Sequence, residues 1–275
     1  MRARRAGQQA VWWLPPPALG SGRKRAWFRF YAELNDCLPG TRRQRDCPYR
    51  FDVPGSVKDA IEAFGVPHVA VDLVLVNGRS VAFDYLLQPG DRVSVFPVFE
   101  GLEIAGTTRV RAEPLRVVRF VADVHLGRLA RYLRMAGFDT LYWPKAEDAY
   151  LAELAAQGRI LLTRDIGLLK RNAVTHGHWV RATAARAQLA EVLARFDLCG
   201  RVAPFRRCMR CNTPLEPISR EEVRGHVPEG VWQTYETFAR CPTCRRIYWK
   251  GSHCDRMWAM LQAAMRGRGA ERQAD

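Results

Sequence analysis

The residues of this chain that could do chemistry fall into two sets, one of thiols and one of carboxylates. RRCMRCNTPL and ARCPTCRRIYW carry Cys208, Cys211, Cys241 and Cys244 as two C-x-x-C pairs. Each pair, followed by a tight turn, lets two thiolates hold one ion, and two pairs complete a tetrahedral set for Zn²⁺. The stretch between the pairs is longer than common zinc spacings, so ISREEVRGHVPEGVWQTYETF is expected to project as an insertion. A closed four-thiolate site has no open position, so this zinc would fold its module and not catalyse. Zinc binding contributes about 10–16 kcal/mol in finger peptides, comparable to the whole stability of a domain. Cys37, Cys47 and Cys199 read as free thiols, and His253 and Cys254 as ordinary residues opening a final helix.

The carboxylates are announced by RILLTRD, residues 159–165. Its apolar run has no polar alternation, the pattern of a strand covered on both faces in a parallel sheet. Asp165 would stand at the carboxyl end of that strand, where open α/β sheets put their ligands. Asp is also a common helix N-cap, so capping is the competing role. LRVVRFVAD likewise ends on Asp123 directly before a helical pattern, and Glu147-Asp148 opens the helix between the two strands. Clustered carboxylates repel one another unless hard cations such as Mg²⁺ or Mn²⁺ neutralise them. Two such ions about 3.5–4 Å apart activate a water and stabilise the leaving oxygen of a phosphodiester. Arg128, Arg131, Arg134, Lys145, Arg164, Lys170 and Arg171 lie around the acids in sequence and suit phosphate contact. His125, His176 and His178 read as helix-start and loop residues.

Three globular segments must position these residues. Residues 1–26 are basic and proline-bearing and read as a disordered extension without a secretory core. Residues 27–100 give strand, long turn, strand, helix and further strands. Ser56 is the expected N-cap, Gly65 the C-cap, and Asn77-Gly78 a hairpin turn. That order is a β-grasp. Residues 101–114 form a linker, and residues 115–203 alternate strand and helix, which predicts right-handed βαβ units and a parallel sheet. Residues 204–262 hold the cysteine pairs, and 263–275 read as a disordered tail. The predicted architecture is therefore α/β: a parallel-sheet domain between an amino-terminal β-grasp and a carboxy-terminal zinc ribbon.

FVADVHLGRLARYLRMAGFDT, EDAYLAELAAQGRILLTRD and the cysteine segment resemble the Mut-seven carboxy-terminal RNase domain, a PIN-like nuclease family. The resemblance covers roughly residues 27–260. It implies a PIN-like sheet, a zinc ribbon behind it, a ubiquitin-like domain in front, and metal-dependent RNA cleavage. It also implies Asp123, Asp148 and Asp165 as the acidic set, with Glu147 as the alternative to Asp148, and it allows Thr163 to position water. VLVNG and PGDRVSVFPVF in the front segment are similar to the small ubiquitin-like sulfur carriers. Those end in a free Gly-Gly, whereas this strand runs on through FEGLEIAG. Sulfur transfer is therefore not expected, and the front domain is read as packing on its neighbour or binding a protein partner.

The bulk properties agree with a nucleic-acid partner. The net charge of +15 lies in the amino-terminal extension and the carboxy-terminal two-thirds, while residues 27–108 are net acidic. A basic domain attracts polyanions because neutralised phosphates release counterions. Arg206, Arg207, Arg210, Arg245, Arg246, Tyr248 and Trp249 would give the ribbon a basic face with aromatics, suited to single-stranded RNA. No apolar run reaches the roughly 18 residues of a membrane helix, and paired cysteines without secretory marks favour a reducing, cytoplasmic setting. The competing function is a non-catalytic RNA-binding adaptor whose acids are only caps.

Overall fold

The computed structural model describes residues 24–97, 109–110 and 118–266. The extension before residue 24, most of the expected linker and the tail beyond 266 lie outside the described residues. Strand β1 (Lys24–Phe30) pairs antiparallel with β2 (Cys47–Phe51) and parallel with β5 (Arg92–Pro97). On its far side β5 pairs antiparallel with β3 (Val71–Val76), which turns into β4 (Arg79–Ser80). The order β2-β1-β5-β3-β4, with helix α1 (Val57–Ala63) across it, is the expected β-grasp. Alternation in β1 buries Ala26, Phe28 and Phe30 against Ile61 and Phe64 of the helix side. The expected local signals hold. Ser56 caps α1 by accepting the Asp59 N–H at 3.0 Å, and Asn77 and Gly78 adopt positive φ in the hairpin turn. The sheet begins at Lys24, ahead of the expected start at residue 27.

The second sheet is wholly parallel. Strands β6 (Arg119–Ala122), β7 (Asp139–Tyr142), β8 (Ile160–Thr163) and β9 (Gly177–Trp179) lie in the order β7-β6-β8-β9. The chain leaves β6 for β7 on one side, then crosses to β8 on the other, so the switch point falls between β6 and β8. Phe120, Ala122, Ile160 and Leu162 face one helical layer, α2 (Gly127–Met135) and α5 (Ala185–Arg195). Val121 and Leu161 face the other layer, α3 (Asp148–Ala156) and α4 (Ile166–Leu169). Covering on both faces is the reason RILLTRD carries no polar alternation.

The third sheet is a small antiparallel set, β10 (Glu216–Ile218), β11 (Phe238–Arg240) and β12 (Ile247–Trp249). The insertion between the cysteine pairs folds as α6 (Arg220–Val223) and α7 (Glu229–Thr234), packed on Ile218 and Phe238. Helix α8 (Ser252–Arg266) runs past the expected end of the ribbon at 262. It does not belong to the ribbon's own core. Its Leu261, Met257 and Met260 pack with Leu189, Val192 and Leu193 of α5, inside one helical layer of the parallel-sheet domain.

Two contacts hold the three units together. On one side Val69, just ahead of β3, is 2% exposed because it enters the α3–α4 core of the parallel-sheet domain. Around it Lys58 donates to Asn172 at 2.7 Å, and His68 Nε2 bonds the Val174 carbonyl at 3.0 Å. On the other side Gly137, with φ +99, follows α2 so closely against Ala203 that a Cβ would meet its carbonyl oxygen at 2.2 Å. Ala203 and Phe205 donate their N–H groups to the Ala136 and Met135 carbonyls at 3.0 Å, which leads the chain into the ribbon.

Candidate functional site

The register sets the carboxylates abreast. Ala122 pairs with Leu162, so Asp123 and Thr163 emerge side by side at the carboxyl edge, at the switch point. Thr163 Oγ1 donates to Asp123 Oδ2 at 2.7 Å and accepts the Asp165 N–H at 2.9 Å. Both aspartates also act as N-caps. Asp123 Oδ1 accepts from Val124 N, and Asp165 Oδ1 accepts from Gly167 N at 2.7 Å. Each aspartate thus uses one oxygen for its cap. Asp123 Oδ2 meets only a neutral hydroxyl, and Asp165 Oδ2 has no donor among the described residues. Asp123 is 5% exposed, yet no cationic side chain pairs with it among those residues. A buried carboxylate held only by neutral donors is suited to a bound cation.

The turn that carries Asp123 is held from β7. Tyr142 donates its hydroxyl to the Val124 carbonyl at 3.2 Å. That ring lies so close to the start of α2 that a Cβ at Gly127 would stand 2.6 Å from the hydroxyl oxygen. A side chain at 127 would therefore have to push the Tyr142 ring from this position.

The remaining acids come from the β7–α3 connection on the same edge. Glu147 is the N-cap residue of α3 but makes no side-chain cap bond. Asp148 is exposed and pairs with Arg171 at 3.6 Å. An ion pair this open contributes only about 0.2–1 kcal/mol and is easily given up. Asp123, Asp148 and Asp165 do not form a group whose ligand atoms all lie within 4.8 Å of one another; among the described residues the four cysteines do.

The basic residues divide. Arg128, in the first turn of α2, and Arg164, between Thr163 and Asp165, are exposed at this edge. Lys170 is committed elsewhere, because its Nζ donates to the Glu62 carbonyl of the β-grasp at 2.7 Å. That bond links the two domains and takes one of the three ammonium donors. Arg134 corrects the expectation of phosphate contact. It is 5% exposed, and it donates to the Thr140 carbonyl at 2.8 Å and the Arg210 carbonyl at 2.7 Å. Burial pushes its pKa down from the usual guanidinium value. Asn212 completes this seam by accepting the Thr140 N–H at 3.0 Å and donating to Asp139 at 2.9 Å. Burial alone would raise the Asp139 pKa, but hydrogen bonds from Arg159 and Asn212 outweigh it and hold the carboxyl below its usual range.

Sequence reasoning passed over an aromatic pair at the acidic edge. Trp143, just after β7, and Tyr150, in the first turn of α3, are 38% and 42% exposed, with ring centroids 5.3 Å apart in an edge-on contact. The signal was a tryptophan placed immediately beyond a strand end, where ligands of such sheets sit.

The cysteines meet as expected. Cys208 and Cys244 sulfurs are 3.5 Å apart, Cys211 and Cys241 sulfurs 3.3 Å, and all four fall within 4.8 Å of one another. A tetrahedral zinc with Zn–S bonds of about 2.3 Å separates its sulfurs by roughly 3.8 Å, so four thiols at this spacing can hold such an ion.

Comparison with known proteins agrees with this geometry. Residues 118–261 match the family model described as Mut7-C RNAse domain, and residues 23–103 match the one described as Mut7-C ubiquitin. No curated protein and no solved structure matches the chain. Among the described residues, no helix is long and apolar enough to cross a membrane. With parallel sheet, cysteine cluster and front β-grasp all in the family's order, the chain belongs to the Mut7-C RNAse domain family and carries that family's ubiquitin-like domain ahead of it.

Proposed function

We propose that this chain is a metal-dependent ribonuclease that hydrolyses RNA phosphodiester bonds at the carboxyl edge of its parallel sheet. The observation that carries the reading is the Asp123–Thr163–Asp165 connection across the switch point between β6 and β8. Mg²⁺ or Mn²⁺, held by Asp123, Asp165 and either Asp148 or Glu147, would supply charge neutralisation and Lewis acidity at that edge. The chain's own groups do the rest. Thr163 fixes the direction of the Asp123 carboxylate, which spends no free energy on reorganisation at the moment of reaction. Arg128 and Arg164 contact the phosphate, and Trp143 with Tyr150 offers a nucleobase a stacking surface. The four-cysteine group holds a structural Zn²⁺, closed to substrate. Charge and cysteine usage favour single-stranded RNA and a cytoplasmic setting.

The test is cleavage of labelled single-stranded RNA in Mn²⁺ by the parent, Asp123→Asn and Asp165→Asn. Both variants should lose cleavage while keeping their circular-dichroism spectrum and zinc content. Parental cleavage rates from both clean variants would remove the proposal. The double use of Asp123 and Asp165 as caps favours a second reading, an RNA-binding adaptor. It requires a parent that retains RNA in Mn²⁺ without any turnover.

A further inference from the structure

A cavity of about 490 Å³ opens at the seam between α2 and the ribbon, lined by Arg131, Met209, Arg210, Arg246, Ile247 and Tyr248. No carboxylate is among these residues. The guanidiniums of Arg131, Arg210 and Arg246 have no ion-pair partner among the described residues, and all three converge on this one concavity. Three unpaired guanidinium forks around one concavity form a receptor for phosphate esters, which they bind bidentately. The walls between them are apolar: Met209, Ile247 and the ring of Tyr248, whose hydroxyl is already bonded to Cys208 Sγ at 3.1 Å.

The arginines are held in place from behind. Arg210 lies inside the first cysteine knuckle, and its carbonyl accepts from the buried Arg134 at 2.7 Å. Arg246 follows the second knuckle, and its carbonyl accepts the Cys241 N–H at 2.9 Å. Arg131 lies three residues beyond Arg128 on α2, and residues so spaced are neighbours on one helix face. Since α2 starts at the acidic edge, Arg128 and Arg131 mark a basic path from that edge to the cavity.

We infer that this cavity seats the phosphodiester backbone of a single RNA strand beyond the bond being cut, with a base or ribose against Tyr248. The inference rests on the ribonuclease reading for its substrate class, but its test does not depend on turnover. The probe is a fluorescein-labelled oligouridylate, bound to the full chain without divalent cations and followed by anisotropy across a salt series. Arg131→Gln should weaken binding about tenfold and reduce the slope of log K against log salt by about 0.7, the value of one phosphate contact on a single strand. Arg210→Gln with Arg246→Gln should reduce that slope by about 1.4. Because those two flank the cysteines, zinc content is measured alongside, and Arg131→Gln, which lies outside the ribbon, carries the conclusion by itself.

Parental affinity and slope in Arg131→Gln would overturn the inference. So would displacement of the labelled strand by uridine monophosphate or inorganic phosphate as readily as by unlabelled oligouridylate, which would make the cavity a free-nucleotide site. Equal displacement by polyglutamate would replace RNA with an acidic protein and overturn it too. A parent that binds through these arginines but never cuts would sink the ribonuclease reading and leave the cavity standing.

Discussion

Thr163 hydroxyl works in both directions, donating to one carboxylate and accepting from the backbone of the other. Valine has the same shape without that oxygen. Thr163→Val should therefore leave Asp123 Oδ2 buried without a donor, at a cost of about 1–3 kcal/mol in urea denaturation. Turnover should fall about 10–100-fold, the usual effect of losing a partner that orients a metal ligand, and Thr163→Ser should restore most of it. Equal loss in the serine and valine variants would mean that packing, not the hydroxyl, matters. The carboxylates themselves were legible, because each closes an apolar strand and precedes a helix. Their dual service as caps was legible only as a choice between roles. Both cap through one oxygen, while the second oxygen of Asp123 takes the Thr163 hydroxyl and that of Asp165 has no donor among the described residues. The bonds of Lys170 to the Glu62 carbonyl and of Arg134 to the Arg210 carbonyl were not legible, because no local pattern connects residues so far apart in the chain.

At the scale of elements, the cysteine knuckle is joined to the parallel sheet through α2. Arg134 and Asn212 tie the Met209–Asn212 turn to the start of β7, so the shape of that turn matters to both units. Withdrawing the metal proposed for the four cysteines with a strong chelator should release the turn and leave Arg134 buried without its Met209 and Arg210 carbonyls, costing about 1–3 kcal/mol beyond the ribbon's own loss. Calorimetry of the full chain should show the main transition of the parallel-sheet domain moving down with the metal removed. A ribbon that melts separately while that transition stays put would show the seam to be energetically silent. Strands and helices of this domain were readable from the alternation of short strand-like runs with helical stretches, clearest in the apolar run of β8. The seam was not readable, because Arg134 looks like one more surface arginine until its burial is seen.

The whole molecule depends on how its front domain sits. Val69 inserts into the α3–α4 core, with Lys58, His68 and Lys170 bonding across the same boundary and Arg181 pairing with Asp36 nearby. Val69→Asp should place an unpaired carboxylate in that core and separate the domains. Small-angle scattering should then report a larger radius of gyration, with the β-grasp still folded by its amide spectrum. An unchanged radius would mean that the polar contacts alone are sufficient. The β-grasp order itself was legible from Ser56, Gly65 and the Asn-Gly turn, but docking depends on a surface valine that sequence alone assigns to no partner.

Helix α8 comes after the ribbon in the chain yet fills a slot on α5. A shortened protein that stops near residue 203, where the alternation of strand and helix ends, would strip the covering from Leu189, Val192 and Leu193. Such a fragment should express as aggregates, and adding α8 back as a separate peptide should rescue its solubility.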